Sequence, residues 1–119
     1  MIIVDTPVWV HHFRKSNEEL GELLDDGDIM IHPFVIGELA LGQLRNRAEI
    51  ISLMEKLPQA PTLTQNDLLT LIENHKLWGS GIGWVDLNIL GSSLITDTLV
   101  WTLDKSLMRT CQKLDCCFE

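Results

Sequence analysis

Short apolar runs alternate with helix-forming segments along this chain, starting with Ile2-Ile3-Val4 near its beginning. Such runs indicate buried strands, and Ile29-Met30-Ile31 and the segment from Thr98 to Trp101 have the same character. Two weaker strand candidates are the stretch between Pro58 and Pro61 and the segment Cys116-Cys117-Phe118. Strands separated by helices predict an α/β fold, in which a central parallel β-sheet is flanked by helices on both faces.

Helix signals fill the intervals between these strands. Thr6 and Pro7 suit the N-cap and the first position of a helix that carries Phe13, and Ser16 and Glu19 have the spacing of a capping box. The other predicted helices run from Ser16 to about Leu24, from Pro33 to about Leu44, from Ala48 to Lys56, from Gln65 after a Thr64 cap to about Leu77, from Trp84 to Ile95 and from Lys105 to Leu114, and a glycine-rich loop covers residues 79–83.

Length and composition predict one domain. With 119 residues, of which 45% are apolar, the chain can bury a real core, and a single domain spanning residues 1–119 is expected. No apolar run approaches the ~20 residues of a membrane span. The first residues lack the basic start and cleavage site of a signal peptide. The expectation is therefore a cytoplasmic protein with no membrane contact.

Charge and cysteine content narrow the possible functions further. The formal net charge of -8 argues against binding nucleic acid through a broad basic face, although bound divalent cations would reverse the field locally. A basic partner protein is also compatible with this charge. The three cysteines, Cys111, Cys116 and Cys117, match no common zinc-site spacing and are expected to be small buried residues.

Four carboxylates lie where the pattern is otherwise apolar: Asp5, Glu38, Asp86 and Asp104. An ionised carboxylate among apolar neighbours is costly unless it is paired or binds a metal ion. Asp5 and Asp104 follow predicted strands, so they would lie at the edge of the sheet where α/β folds bind ligands. Glu38 interrupts a helix that is apolar nearly all round and is therefore expected to be buried. Asp86 falls in a first helical turn, where the helix dipole favours negative charge.

Each of the four acids also admits an ordinary structural role. Asp5 could be a turn residue, Asp86 and Asp104 could be acids at helix starts, and Glu38 could lie on a helix that exposes it. If the four meet, their oxygen ligands suit Mg²⁺ or Mn²⁺, and sites of this kind often hold two cations ~3.5–4 Å apart. Such a pair activates a water and stabilises the leaving oxygen of a phosphodiester.

Four blocks around these acids resemble the PIN-domain ribonucleases, particularly the VapC toxins of bacterial toxin–antitoxin systems. The blocks are Ile2–Val10, Ile36–Gly42, Gly81–Asp86 and Leu99–Lys105. The match spans nearly the whole chain. The order and spacing of the four blocks make the resemblance far more specific than any single acid would be.

The resemblance implies a PIN-like fold and an Mg²⁺- or Mn²⁺-dependent endoribonuclease. It implies that Asp5, Glu38, Asp86 and Asp104 are the catalytic and metal-binding acids, and that Thr102 is a small hydroxyl residue beside the last acid. The partners it implies are an RNA substrate, a VapB-like antitoxin and a second copy of the chain in a homodimer.

The chain departs from the family pattern at two positions. Pro7 stands where relatives often have a serine or threonine that supports the first acid, and His11 stands where many have an acid. The effect of both on activity is left open by the sequence. His11 and His12 could act as bases, but solvated helix residues are the simpler interpretation. Lys105, Arg14 and Arg109 could contact RNA phosphates or be surface charges.

The sequence is also compatible with other functions. The main alternative is a catalytically silent PIN-like module that binds RNA or an antitoxin. A phosphatase of the haloacid-dehalogenase type would require an aspartate at the position of Pro7, and a nuclease that cuts DNA is not excluded. The sequence does not specify which RNA is cut, how many cations bind or how the antitoxin docks.

Overall fold

A computed structural model describes all 119 residues of the chain, and strands alternate with helices along it. The elements are β1 (Ile2–Val4), α1 (Thr6–Arg14), α2 (Glu18–Asp25), β2 (Ile29–Met30), α3 (Pro33–Leu41), α4 (Arg47–Glu55), α5 (Gln65–His75), α6 (Trp84–Thr96), β3 (Leu99–Trp101) and α7 (Lys105–Lys113). The predicted α/β class is confirmed. None of the helices has the length and apolar character that a membrane span requires.

The central sheet is parallel, with β1 between β2 and β3. An isolated bridge between Ile31 and Gln59 extends it beyond β2, and one between Val100 and Cys117 extends it beyond β3. The two weaker strand candidates therefore join the sheet through single parallel bridges. Because β1 is central and β3 is its neighbour, the residues that follow these two strands lie side by side at the carboxyl edge.

The core is built on β1 and is closed by the helices around it. Ile3 and Val4 are fully buried, as are Trp9 of α1 and Leu107 of α7. Trp9 also donates an indole hydrogen bond of 3.2 Å to the carbonyl of Val4. The middle of α6 is buried without a break from Leu87 to Ser93, which fixes the orientation of its first turn.

Three helix boundaries differ from the prediction. Asp5, rather than Thr6, is the N-cap of α1, because its side chain accepts the Thr6 N–H. Asn17, rather than Ser16, caps α2, accepting the Leu20 N–H at 2.9 Å. The helix α3 ends at Leu41 and not near Leu44, because Gly42 adopts an extended conformation there.

The helix α3 is also less buried than its sequence predicts. Only Val35 and Leu39 are buried, whereas Phe34, Glu38 and Leu41 are exposed, Leu41 to 91%. The prediction that Glu38 is buried is therefore wrong. A helix that is apolar all round can keep one face uncovered when no other element of the chain packs on it.

The cysteines are free thiols, and they lie in and near the core. Cys111 and Cys116 are buried and Cys117 is half-buried, as expected for small apolar residues. The Cys116 N–H donates to the Cys111 carbonyl at 2.9 Å and ends α7. A hydrogen bond from the Cys111 thiol lowers the pKa of Cys116 to about 7.

Candidate active site

Asp5 lies at the junction of β1 and α1 and is held from several sides. Its own N–H donates to the Trp101 carbonyl at 2.9 Å, which ties it to the end of β3. One carboxylate oxygen, Oδ1, accepts the Thr6 N–H at 2.8 Å, and the other, Oδ2, accepts the Thr102 hydroxyl at 2.8 Å. The side chain is only 4% exposed. Asp5 is thus a buried carboxylate in a fixed orientation.

Thr102 links the first acid to the last one. Its buried hydroxyl donates to Asp5 and accepts the Asp104 N–H at 3.0 Å. Asp104 is exposed and caps α7, where its Oδ1 accepts the Leu107 N–H at 2.8 Å. The predicted position of Thr102 beside the last acid is therefore accompanied by a second contact, with Asp5, which the sequence did not indicate.

Glu38 joins the same group from α3. Its Oε1 accepts the Thr6 hydroxyl at 2.6 Å. The backbone N–H of Thr6 meanwhile serves Asp5, so Thr6 connects two of the four acids. The sequence pattern predicts only a capping role for Thr6. Its position directly after Asp5 was the one available signal for its part in the site.

Asp86 lies in the first turn of α6 and is half-buried. Burial and repulsion from Asp5 raise the pKa of Asp86 to about 6, although the Gly83 N–H opposes that rise. Asp104 and Glu38 contribute further repulsion. The other three predicted acids are therefore all close enough to influence the charge of Asp86.

The pKa of Asp5 is raised as well. Burial is the main cause, and it outweighs the hydrogen bonds from Thr102 and Thr6 that stabilise the charged form. Repulsion from Glu38 and Asp104 raises it further. We call Asp5, Glu38, Asp86 and Asp104 the acidic cluster. Four carboxylates held together repel one another when ionised, and a bound cation would offset that repulsion.

The acidic cluster fits a divalent cation by its chemistry. It offers only carboxylate oxygens, which Mg²⁺ and Mn²⁺ prefer. No three His, Cys, Asp or Glu side chains are spaced as a finished set of metal ligands. Binding would therefore draw the carboxylates closer together, and the exposed side chain of Glu38 has the room to move.

The structure shows the surroundings of Pro7 and His11, the two residues that depart from the family pattern. Pro7 is the second residue of α1, two residues after Asp5, but both oxygens of Asp5 already accept hydrogen bonds from Thr6 and Thr102. His11 is exposed, and His12 accepts the Asn17 N–H through Nδ1 at 2.9 Å. Solvated or capping roles therefore account for both histidines.

The basic residues considered for RNA contact lie in different places. Arg14 lines a cavity of about 460 Å³ together with Arg45, at the end of α1 remote from Asp5. Lys105 is exposed directly after Asp104. Arg109 donates to the Ser106 hydroxyl at 3.3 Å on the outside of α7.

This fold and this site define the class of the protein: a PIN-like α/β domain with acidic residues at the carboxyl edge of its parallel sheet. The chain is 44% identical over 112 residues to ribonuclease VapC32 of Mycobacterium tuberculosis, in both strain CDC 1551 / Oshkosh and strain ATCC 25618 / H37Rv. The match covers 93% of this chain and 90% of each relative. No protein-family model matches the chain. The chain belongs to the VapC ribonuclease family.

Proposed function

We propose that this protein is an Mg²⁺- or Mn²⁺-dependent endoribonuclease and the toxin component of a VapBC-type toxin–antitoxin system. The observation that carries the proposal is the acidic cluster, in which four elements distant in sequence bring their carboxylates within electrostatic range of one another. The relationship to ribonuclease VapC32 supports the choice of RNA as substrate.

Each acid has a proposed role that follows from its surroundings. Asp5 would be the principal ligand, because two hydrogen bonds fix its orientation. Asp86 and Glu38 would complete the set, and Asp104 would close it on the side of α7. When bound, the cation would supply a Lewis acid that lowers the pKa of a water and stabilises negative charge on the phosphate.

Two threonines of the site, Thr6 and Thr102, would orient these acids rather than touch RNA. The Thr102 hydroxyl fixes Asp5 relative to the backbone of Asp104, and the Thr6 hydroxyl orients Glu38. Because Asp5 is almost completely buried, only a small part of it faces solvent and the rest of its charge is shielded from water. This arrangement favours a ligand that approaches from one side, over the carboxyl edge of the sheet.

The direct test is RNA cleavage by the wild type and by Asp5→Asn, with Mg²⁺ or Mn²⁺ and with EDTA. We expect cleavage by the wild type only when metal is present, and a loss of at least ~100-fold in Asp5→Asn. Asp97→Asn is the matched control, because Asp97 is an exposed carboxylate at the far end of α6. Equal cleavage by Asp5→Asn and the wild type would contradict the proposal.

The same assay addresses the alternative of a silent binding module. Such a module would bind RNA without shortening it, whatever metal is added. Calorimetry with Mn²⁺ separates the cases further, since the proposed enzyme should bind Mn²⁺ and Asp5→Asn should bind it more weakly. An absence of both cleavage and Mn²⁺ binding in the wild type would favour the silent module.

The proposal includes two protein partners, a VapB-like antitoxin and a second copy of the chain. The uncovered apolar face of α3, which includes Phe34 and Leu41, supports an interface with another chain. Light scattering over a wide concentration range tests the homodimer, and a purely monomeric protein would count against it. Copurification with the product of a neighbouring small gene tests the antitoxin.

A further inference from the structure

An apolar cavity of about 250 Å³ lies under the glycine-rich loop that precedes α6. Its lining includes Trp78 and Trp84, one at each end of the loop of residues 79–83, together with Leu77 and Leu87. Trp78 is 62% exposed and Trp84 is 48% exposed. Two large aromatic side chains are thus kept at the surface around a hollow, although their burial would have been favourable.

Two acids of the acidic cluster lie within a few residues of the cavity lining or of a residue that the lining contacts. Trp84 is the first residue of α6, and Asp86 follows within the same turn. In the loop, Gly81 lies against α7: a Cβ atom at this glycine would come within 2.8 Å of the Ser106 hydroxyl. Ser106 follows Asp104 by two residues, so the loop is packed between the starts of the two helices that carry these acids.

The groups around the cavity are those that recognise a nucleobase. Aromatic rings stack on unpaired bases, and hydrogen-bond donors read the edges of those bases. The N–H groups of Gly79, Gly81 and Ile82 donate no hydrogen bond within the protein. The Ser80 hydroxyl, in the same lining, has no partner either.

The charges nearby also favour a nucleotide over an apolar peptide. Arg109 donates to the Ser106 hydroxyl, which is the group that Gly81 packs against. A guanidinium is therefore present near one side of the loop, while Asp86 of the acidic cluster lies in the first turn of the helix that follows the loop. A phosphodiester chain entering the site could place one phosphate near Arg109 and present the scissile phosphate to the cluster.

We propose that this cavity is a base-recognition subsite, in which Trp84 and Trp78 stack on one unpaired base of single-stranded RNA beside the bond that is cut. The subsite rests on the proposed ribonuclease function, because it assigns a specificity role next to that site. It predicts a preference for particular bases at one position adjacent to the cleavage point.

The first experiment measures base binding without cleavage. Tetramers of 2′-O-methyl RNA with methylphosphonate linkages carry no backbone charge, so the acidic cluster neither repels nor cuts them. We expect them to quench tryptophan fluorescence in EDTA, and Trp84→Ala to bind about tenfold more weakly, as expected for the loss of stacking on one base. Trp84→Phe should restore most of the affinity, because it retains an aromatic face.

The second experiment measures cleavage by the same variants with Mn²⁺ present. Trp84→Ala should cut RNA with a higher KM and a broadened base preference at one position, while its Mn²⁺ affinity measured by calorimetry stays unchanged. Leu69→Ala is the matched control, because Leu69 has the same 48% exposure as Trp84 but lies on α5 outside the cavity lining. It should leave both affinity and preference unaltered.

The outcomes separate the subsite from the enzyme. If the wild type cuts RNA but Trp84→Ala keeps its KM and base preference, the subsite is wrong and the ribonuclease stands. If the tetramers bind through Trp84 but no metal supports cleavage, the ribonuclease is wrong and the base site stands. If the wild type binds no tetramer, or binds an apolar peptide in preference to it, the subsite is wrong in either case.

Discussion

Thr102 is the residue on which the orientation of the acidic cluster depends most directly. It is buried, it donates to Asp5 at 2.8 Å and it accepts the Asp104 N–H at 3.0 Å. Thr102→Val keeps the shape of the side chain but leaves both partners without this contact. We expect Mn²⁺ affinity to fall by about 10–100-fold, the usual cost of losing a group that orients a metal ligand. Titration calorimetry measures it.

The hydroxyl and the methyl group of Thr102 can be separated by Thr102→Ser, which retains only the hydroxyl. We expect Thr102→Ser to bind Mn²⁺ nearly as well as the wild type. If the serine and valine variants lose the same affinity, packing of the methyl group is what matters, and the orienting role of the hydroxyl is wrong.

Asp86 should make the metal-free protein less stable at neutral pH. Its folded-state pKa of about 6 lies above the ordinary value of 3.8, so the folded state binds this proton more tightly than the unfolded state. The resulting stabilisation is complete below about pH 4 and is lost as pH rises through about 6. Asp86→Asn has no charge to bury, so in EDTA it should be more stable than the wild type at pH 8 and not at pH 4.

The expected gain at pH 8 is about 1 kcal/mol after allowance for solvent screening, or roughly 4 °C in Tm. Thermal unfolding of both proteins across this pH range measures the difference. The exposed Asp97 gives the control, since Asp97→Asn should show no such pH-dependent difference. A gain that is as large at pH 4 as at pH 8 would exclude ionisation of Asp86 as its cause.

At the scale of residues, the sequence was sufficient to identify the four acids that the fold brings together, but not how each one is held. Asp5 could be placed because a carboxylate directly after a buried strand has few ordinary explanations. The exposure of Glu38 could not be predicted, because it depends on which elements pack on α3. The bond from Thr102 to Asp5 joins residues 97 positions apart, so only the strand order creates it.

At the scale of elements, two glycines of the loop before α6 share a left-handed backbone conformation, but only one of them also lacks room for a side chain. Gly79 has φ +72° and Gly81 has φ +88°, a region that side chains disfavour. A Cβ atom at Gly79 would meet nothing within 4 Å, whereas at Gly81 it would come within 2.8 Å of the Ser106 hydroxyl. We therefore expect Gly81→Ala to cost about 2 kcal/mol of stability and Gly79→Ala about 1 kcal/mol.

Urea unfolding of the two variants measures this difference, and a third variant identifies its cause. Ser106→Ala removes the hydroxyl that the added Cβ atom would meet. Combined with Gly81→Ala, it should bring the loss of stability closer to that of Gly79→Ala. It should not remove the backbone cost that both glycine variants share. Equal losses of stability for Gly79→Ala and Gly81→Ala would show that the contact between the loop and α7 is unimportant.

The sequence predicted the helices and strands better than their ends. Patterns of apolar residues identify each element, but a cap is decided by competition between neighbouring polar side chains. Asp5 caps α1 in place of Thr6 because Asp5 already faces the first free N–H groups, while the Thr6 hydroxyl binds Glu38. Gly42 ends α3 three residues early, and nothing in the apolar pattern up to Leu44 indicated this.

At the scale of the whole molecule, parallel topology is what assembles the site. The sheet order places the ends of β1 and β3 next to each other, which brings Asp5 and Asp104 together from opposite ends of the chain. The helices α3 and α6 then contribute Glu38 and Asp86. The four acids therefore meet only in the folded chain, and any ligand that bridges them must stabilise the fold.

Mn²⁺ should accordingly raise the Tm of the wild type in a saturable way. At a free concentration 100 times its Kd, a ligand that binds only the folded state adds about 2.7 kcal/mol, or roughly 10 °C for a chain of this size. Asp5→Asn should lose most of this rise and Asp97→Asn should keep it. Because the net charge is -8, any salt will screen repulsion within the protein. The control is therefore the Tm measured in NaCl at the ionic strength of each Mn²⁺ sample. A rise that NaCl reproduces, or that Asp5→Asn retains in full, would mean that the acidic cluster does not bind the metal.

Asp86→Asn tests the same binding in a second way. It should be more stable than the wild type in EDTA at pH 8 and should gain less stability from Mn²⁺, because the charge that destabilises the empty cluster is the charge that would bind the cation.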